Sequence, residues 1–366
     1  MSAAPEQAFA PSYAQARNLF LQAAQGRGLA VDTRPHPLPG RDGEAMAMDV
    51  AWDGPAQASR VLIVSSACHG VEGHCGSGVQ VDALRRADWR PTPWPSDVAV
   101  LWVHALNPYG FSHGRRTTQE NVDLNRNFHR FDQALPDNPG YREIHDWLIP
   151  EQWPPSEANE AALQDWVAQH GNAAFQQAVS GGQHSHPEGL FYSGVAPTWS
   201  HHTLRQVLRE HAGHARHVGW IDLHTGLGPS GVGERIFAWK NDAAALARTQ
   251  AWWGSDTTPI TSIYDGSSTS ALLTGLMWSA VEDECPQAQY TGMALEYGTV
   301  PWTETLLALR ADHWLALHPQ ASAAQAQHIR SELRRVFYTE TDTWKQQILV
   351  QARQALAQGV AGLAQA

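Results

Sequence analysis

Three short apolar runs, residues 61–64, 98–103 and 218–223, each stop at a polar turn that carries glycine or asparagine. None shows a polar residue at every second position, so each reads as a strand buried on both faces rather than one half in water. Stretches of helical composition separate them: residues 76–87, 157–179 and 202–213, with an Ala-, Leu- and Gln-rich tail over about 302–360. A further helix is expected over 13–25, ended by Gly26 and Gly28. Further strands are expected over 47–52, 235–239 and 292–297, with Asp53-Gly54-Pro55 as the turn before the first apolar run. The region 136–155, rich in Pro and Trp, reads as irregular, and 180–189 as a Gly- and His-rich loop. Strands alternating with helices predict an α/β fold, a single domain whose mostly parallel, mixed central sheet is covered by helices on both faces. Ligands of such sheets bind at the carboxyl ends of the strands, so the turns that end the apolar runs are where function is to be sought.

The first turn is Cys68-His69-Gly70-Val71-Glu72-Gly73 and the third is Asp222-Leu223-His224-Thr225-Gly226. Imidazole nitrogen and carboxylate oxygen are good zinc ligands, and His69, Glu72 and His224 would leave one vertex open, as a catalytic site requires. His74 and His113 are rival ligands with poorer spacing, and a polar turn with no metal is the plain alternative. Asp222 lies two positions before His224 and shares its side of an extended strand. A carboxylate there could orient the imidazole, and Asp123 could do the same for His69.

The strongest single signal is the segment 115–128, Arg-Arg-Thr-Thr-Gln-Glu-Asn-Val-Asp-Leu-Asn-Arg-Asn-Phe. Asn125 and Arg126 together suit recognition of a carboxylate. Arg116 could instead polarise a carbonyl and hold the oxyanion formed from it. A solvated loop with ordinary ion pairs has the same composition.

Taken in order, His69-x-x-Glu72, Asn107-Pro108-Tyr109-Gly110, Arg116, Val122-Asp123-Leu124-Asn125-Arg126-Asn127-Phe128, His224 and Glu296 resemble the zinc carboxypeptidase family, the M14 metallopeptidases. Within it the chain looks most like the bacterial M14-like branch that carries DUF2817. The resemblance spans residues from about 60 to 300. It implies one Zn2+ ion held by His69, Glu72 and His224, with Asp123 and Asp222 behind the two histidines. It implies that Arg116 stabilises the oxyanion and that Asn125 and Arg126 hold a terminal carboxylate. Glu296 would be the general base, a task suited to a strand-borne Glu between Leu295 and Tyr297, because desolvation raises its pKa. Tyr264 resembles the loop tyrosine that covers substrate, although its spacing to Glu296 is longer than the family's. On this resemblance residues 1–366 form one M14-like metallohydrolase domain. A helical insertion at about 129–217 and a helical C-terminal region at about 302–366 are its departures.

The activity implied is zinc-dependent amide hydrolysis, carboxypeptidase-like, releasing a C-terminal amino acid. An aspartoacylase-like deacylation of small N-acyl amino acids is the second reading, and a non-catalytic module binding acidic peptides the third. The expected partner is a peptide or N-acyl amino acid with a free carboxylate. A net charge of -11 without a basic run excludes nucleic acid and anionic membrane surfaces as partners. Three scattered cysteines make no disulfide framework, though Cys68 and Cys75 flank the His-x-x-Glu turn closely enough to pair. Without an h-region or an apolar run of about 18 residues, a cytoplasmic protein is expected. Oligomeric state, side-chain preference and the native divalent metal are left open.

Overall fold

The apolar runs occupy the middle of an eight-stranded sheet in the computed structural model, which describes residues 5–366. In chain order the strands are β1 (Val31–Pro39), β2 (Ala45–Asp53), β3 (Arg60–Ser65), β4 (Val98–His104), β5 (His217–Thr225), β6 (Gly233–Phe237), β7 (Ile260–Ser262) and β8 (Gln289–Tyr297). Their spatial order is β1-β2-β4-β3-β5-β8-β6-β7. Strands β4, β3, β5 and β8 run parallel, β1 and β2 close one side antiparallel, and β6 returns antiparallel to β8 with β7 parallel beside it. The sheet is therefore mixed and mostly parallel, as the alternation of elements predicts.

Burial on both faces follows from the side-chain alternation of β3. Leu62 and Val64 join Phe20, Val79, Trp102, Trp253 and Leu356 on one face. Val61 and Ile63 join Leu101, Leu204, Val207 and Trp278 on the other. The first face is covered by helices Tyr13–Gly26, Gly73–Arg85, Ala243–Trp253 and Asp342–Gln365. A separate apolar cluster joins helices Pro139–Leu148, Glu157–His170 and Asn172–Ser180 to the C-terminal helices Trp302–Leu317 and Ala323–Phe337.

Several elements differ from the sequence expectation, each for a physical reason. β1 carries Pro35, Pro37 and Pro39 and went unread as a strand; it is tolerated because it lies at the sheet edge, paired on one side only. The region 136–155 is not irregular throughout: Asn138 caps a helix whose first residue is Pro139. The helix expected over 157–179 is broken by Gly171, whose φ of 89° ends one helix and starts the next. Helix Ala243–Trp253 and the short β7 also lie outside the sequence reading. β2 and β3, adjacent in sequence, are separated in space by β4. Cys68, Cys75 and Cys285 are all unpaired and buried, so the local bridge does not form. Among the described residues no helix is long and apolar enough to cross a membrane. Of the expected 1–366 unit, the first four residues lie outside the described part.

Candidate metal centre

The turn after β3 is held by backbone contacts that only glycine permits. A Cβ on Gly70 would lie 2.0 Å from the carbonyl carbon of Gly110. A Cβ on Gly110 would lie 2.5 Å from Asn107 Nδ2 and 2.6 Å from the Thr117 carbonyl oxygen. Asn107 Oδ1 accepts from the Gly110 N–H at 2.9 Å, so the Asn-Pro-x-Gly motif is a capped turn pressed against the His-x-x-Glu turn. The segment bearing Arg116 is fixed to the same turn, since the N–H groups of Gly70 and Val71 donate to the carbonyls of Arg116 and Arg115 at 3.1 and 2.9 Å.

His69, Glu72 and His224 come together at the carboxyl ends of β3 and β5, each offering a donor atom within 4.8 Å of the others. Nδ1 of His69 lies 2.9 Å from Glu72 Oε1, and Nδ1 of His224 lies 3.1 Å from Glu72 Oε2. The opposite nitrogens face carboxylates: His69 Nε2 lies 3.1 Å from Asp123, and His224 Nε2 bonds Asp222. His69 Nε2 is shared between Asp123 and Arg116 Nη2, which lies 2.8 Å away, and His224 Nε2 is held by Asp222, so each ring is oriented with its Nδ1 toward Glu72. That is the arrangement in which two imidazoles and a carboxylate suit one divalent ion. The donor set fits a metal.

Burial and charge oppose one another throughout this cluster. Burial works to raise the Glu72 carboxyl, but His69 and His224 outweigh it and hold the group ionised, below its ordinary range. Asp123 is likewise driven well down, because Arg116, His69 and Arg126 overcome the effect of burial. His224 is raised well above the ordinary histidine value: burial disfavours its charge, yet Asp222 and Glu72 prevail. Arg116 donates from Nε to Asp123 and from Nη1 to Glu72, both at 3.0 Å.

Glu296 stands beside this group. The register of β5 on β8 sets it directly opposite His224, and the Leu227 N–H donates to it at 3.1 Å. Burial first, then the nearby Glu72 carboxylate, pushes its carboxyl up to about 8. Two carboxylates lining one cleft are thus separated in character, one held ionised and one able to carry a proton near neutrality.

Asn125 and Arg126 follow Asp123, whose side chain accepts from the Asn125 N–H at 3.0 Å. Asn125 Oδ1 accepts from the Met277 N–H at 3.2 Å. Arg126 is only 3% exposed; its Nε and Nη2 donate to the Ser180 carbonyl at 3.0 and 2.8 Å, and Nη1 donates to the Asn125 carbonyl at 3.0 Å. The side chains of Arg116 and Arg126 lie over the ring of Phe191, at 5.1 and 5.6 Å. Phe191 has a φ of 50°, a conformation that bulky residues rarely adopt.

One cleft of about 720 Å3, counting its open mouth, is lined by His69, Glu72, Arg116, Asn125, Arg126, His224 and Glu296. Tyr264 is not brought to it: its hydroxyl donates to the Trp239 carbonyl. The rival ligands are also elsewhere engaged, His74 with the Ala10 carbonyl at 3.0 Å and His113 with the Tyr109 carbonyl at 3.1 Å. Phe191, Trp278, Trp302 and Phe337 line the same cleft without having been read from the sequence. An aromatic residue in a loop or helix gives no sequence signal that separates a cleft wall from an ordinary core.

The fold is that of the zinc carboxypeptidases. Carboxypeptidase A from Helicoverpa armigera superimposes with a TM-score of 0.52 at 10% identity, over 97% of this chain and 74% of that one. Bovine thrombin-activatable fibrinolysis inhibitor, solved with a tick carboxypeptidase inhibitor, gives 0.52 at 10% identity over 98% of each chain. A second structure of thrombin-activatable fibrinolysis inhibitor gives 0.53 at 11% identity, covering 98% of this chain and 77% of that one. At such identities the likeness is one of fold. No curated protein matches the sequence. The model of the family described as "Protein of unknown function (DUF2817)" matches residues 9–351, and the chain belongs to that family.

Proposed function

We propose that this protein is a zinc-dependent amide hydrolase of carboxypeptidase type, releasing a C-terminal amino acid from a short peptide or related N-acyl compound. The observation that carries the reading is the pairing of a three-donor cluster with a buried carboxyl raised to about 8, set opposite His224 in the sheet. A zinc ion held by His69, Glu72 and His224 would supply Lewis acidity and make a water molecule more acidic.

The remaining steps belong to the chain's own side chains. Glu296 takes the proton of the attacking water and returns it to the departing amine, a role suited to a carboxyl that titrates near neutrality. Arg116, anchored on Asp123 and Glu72, has N–H groups left to meet the oxyanion. Arg126 and Asn125 receive the substrate's carboxylate and so align the scissile bond; Arg126 has donors beyond those given to Ser180 and Asn125. Asp123 and Asp222 orient the two imidazoles. Tyr264 enters this scheme only if its loop leaves Trp239. A cytoplasmic setting is part of the reading, supported by three unpaired buried thiols.

The test is Glu296→Gln. Turnover of N-acyl dipeptides should fall about 100- to 10,000-fold while elemental analysis finds the metal content unchanged. Retained turnover would show that the base lies elsewhere.

A second reading keeps the centre and shortens the substrate to an N-acyl amino acid. The aromatic wall of Phe191, Trp302 and Phe337 around the cleft favours it. Parallel assays with blocked dipeptides and with N-acyl amino acids separate the two by their kcat/KM values.

A further inference from the structure

We infer that the residue released is one with a neutral, apolar side chain, and that charged side chains are excluded; the inference rests on the hydrolase reading. Its basis is the wall beside the carboxylate clamp. Asn125 is bonded to the backbone of Met277, and the next residue, Trp278, lines the cleft and is buried. The register of β6 on β8 sets Ile236 against Ala294, two residues before Glu296 and on the same face. Ala238, two residues beyond Ile236, continues that face, and Leu273 closes it. A side chain whose carboxylate sits on Arg126 and Asn125 therefore meets Trp278, Ile236, Ala238, Ala294 and Leu273. The two alanines leave room there for a branched or aromatic group.

The charges around the cleft belong elsewhere. Its ionisable lining groups are His69, Glu72, Arg116, Arg126, His224 and Glu296, which serve as the metal cluster, the oxyanion donor, the base and the clamp. Glu234 lies opposite Glu296 across the β6–β8 pair but does not line the cleft. Its carboxylate is turned instead to the Thr261 hydroxyl and the Thr269 N–H, 2.6 and 3.1 Å from Oε1, and to the Thr269 hydroxyl at Oε2. A Lys, Arg, Asp or Glu side chain entering this wall would be desolvated without a partner, which is strongly unfavourable.

The experiment uses the zinc-loaded full chain and a series of N-acylglycyl-X dipeptides differing only in X. Phe, Leu and Met at X should be released with kcat/KM at least about 100-fold above Lys, Arg, Asp and Glu. Comparable rates for any charged X overturn the inference while leaving the hydrolase reading intact. Ala238→Asp should then raise the Lys-to-Leu ratio at least about tenfold without raising the Glu-to-Leu ratio; no change in either ratio places the pocket elsewhere. Failure to cleave any dipeptide or N-acyl amino acid defeats the hydrolase reading instead. In that event calorimetric titration with phenylalanine, lysine and glutamate decides the pocket's chemistry. Binding of phenylalanine alone supports an apolar pocket beside the clamp, and equal binding of a charged amino acid, or of none, overturns it.

Discussion

Behind His224 runs a buried chain of hydrogen bonds that begins well away from the cleft. The Trp220 indole N–H donates to Ser65 Oγ at 2.7 Å, Ser65 Oγ donates to Asp222 Oδ1 at 2.5 Å, and the other Asp222 oxygen holds His224. Trp220, Ser65 and Asp222 are fully buried, so no water replaces a partner that is removed. Ser65→Ala would strip one bond from the carboxylate and leave the indole N–H unpaired, costing about 1–3 kcal/mol of stability. Zinc affinity, measured against a competing chelator, should fall about 10- to 100-fold as the imidazole loses its fixed orientation. An unchanged affinity would mean that Asp222 positions His224 unaided. Asp222 could be read from the sequence, because two-residue spacing on a strand puts it on the side of His224. Ser65 and Trp220 could not: each is an ordinary strand residue until β3 and β5 are laid side by side.

At the scale of elements, what the sequence disclosed is what burial writes into it. β3, β4 and β5 read correctly because strands covered on both faces are continuously apolar. The elements that escaped were governed by position instead: β1 survives its prolines at an edge, and β7 is three residues long. The side chains that cluster, His69, Glu72 and His224, were named from the sequence, yet the turn that holds them became intelligible only as a contact between two turns. Gly70 and Gly110 meet backbone to backbone, and Gly110 also lies against Asn107 and the Thr117 carbonyl. Gly110→Ala has no flexible neighbour to displace, so the turn must shift, and with it the segment bearing Arg116. We expect a loss of about 2 kcal/mol or more in urea unfolding, together with weaker zinc binding. A variant of wild-type stability would show that the Asn-Pro-x-Gly turn adjusts freely.

In the whole molecule, one helix fastens the C-terminal region to the segments that wall the cleft. Within Trp302–Leu317, Arg310 donates to the Leu148 and Trp147 carbonyls and pairs with Glu160, binding two helices of the 129–217 segment. Asp312 receives Arg115 at 2.9 Å, and His313 donates from Nδ1 to the Glu188 carbonyl at 3.2 Å. His313 is buried, and that burial, with Arg115 and Arg116 nearby and only Asp312 and the Glu188 carbonyl opposing, lowers it to about 4. An unfolded histidine titrates near 6.5. Above that pH neither state binds the proton and His313 adds no pH dependence. Between about 6.5 and about 4 the unfolded chain gains a proton that the folded one refuses, so stability falls as the solution is acidified, by up to about 1.4 kcal/mol per pH unit. Other groups titrate in the same interval, so the wild type is best compared with His313→Gln, which cannot take up the proton. The difference in unfolding free energy between the two should be constant above pH 7. Below pH 6 it should shift steadily against the wild type. A difference that stays flat down to pH 4.5 would show that His313 charges without breaking its contact to the 180–189 loop, and that this fastening is indifferent to acid.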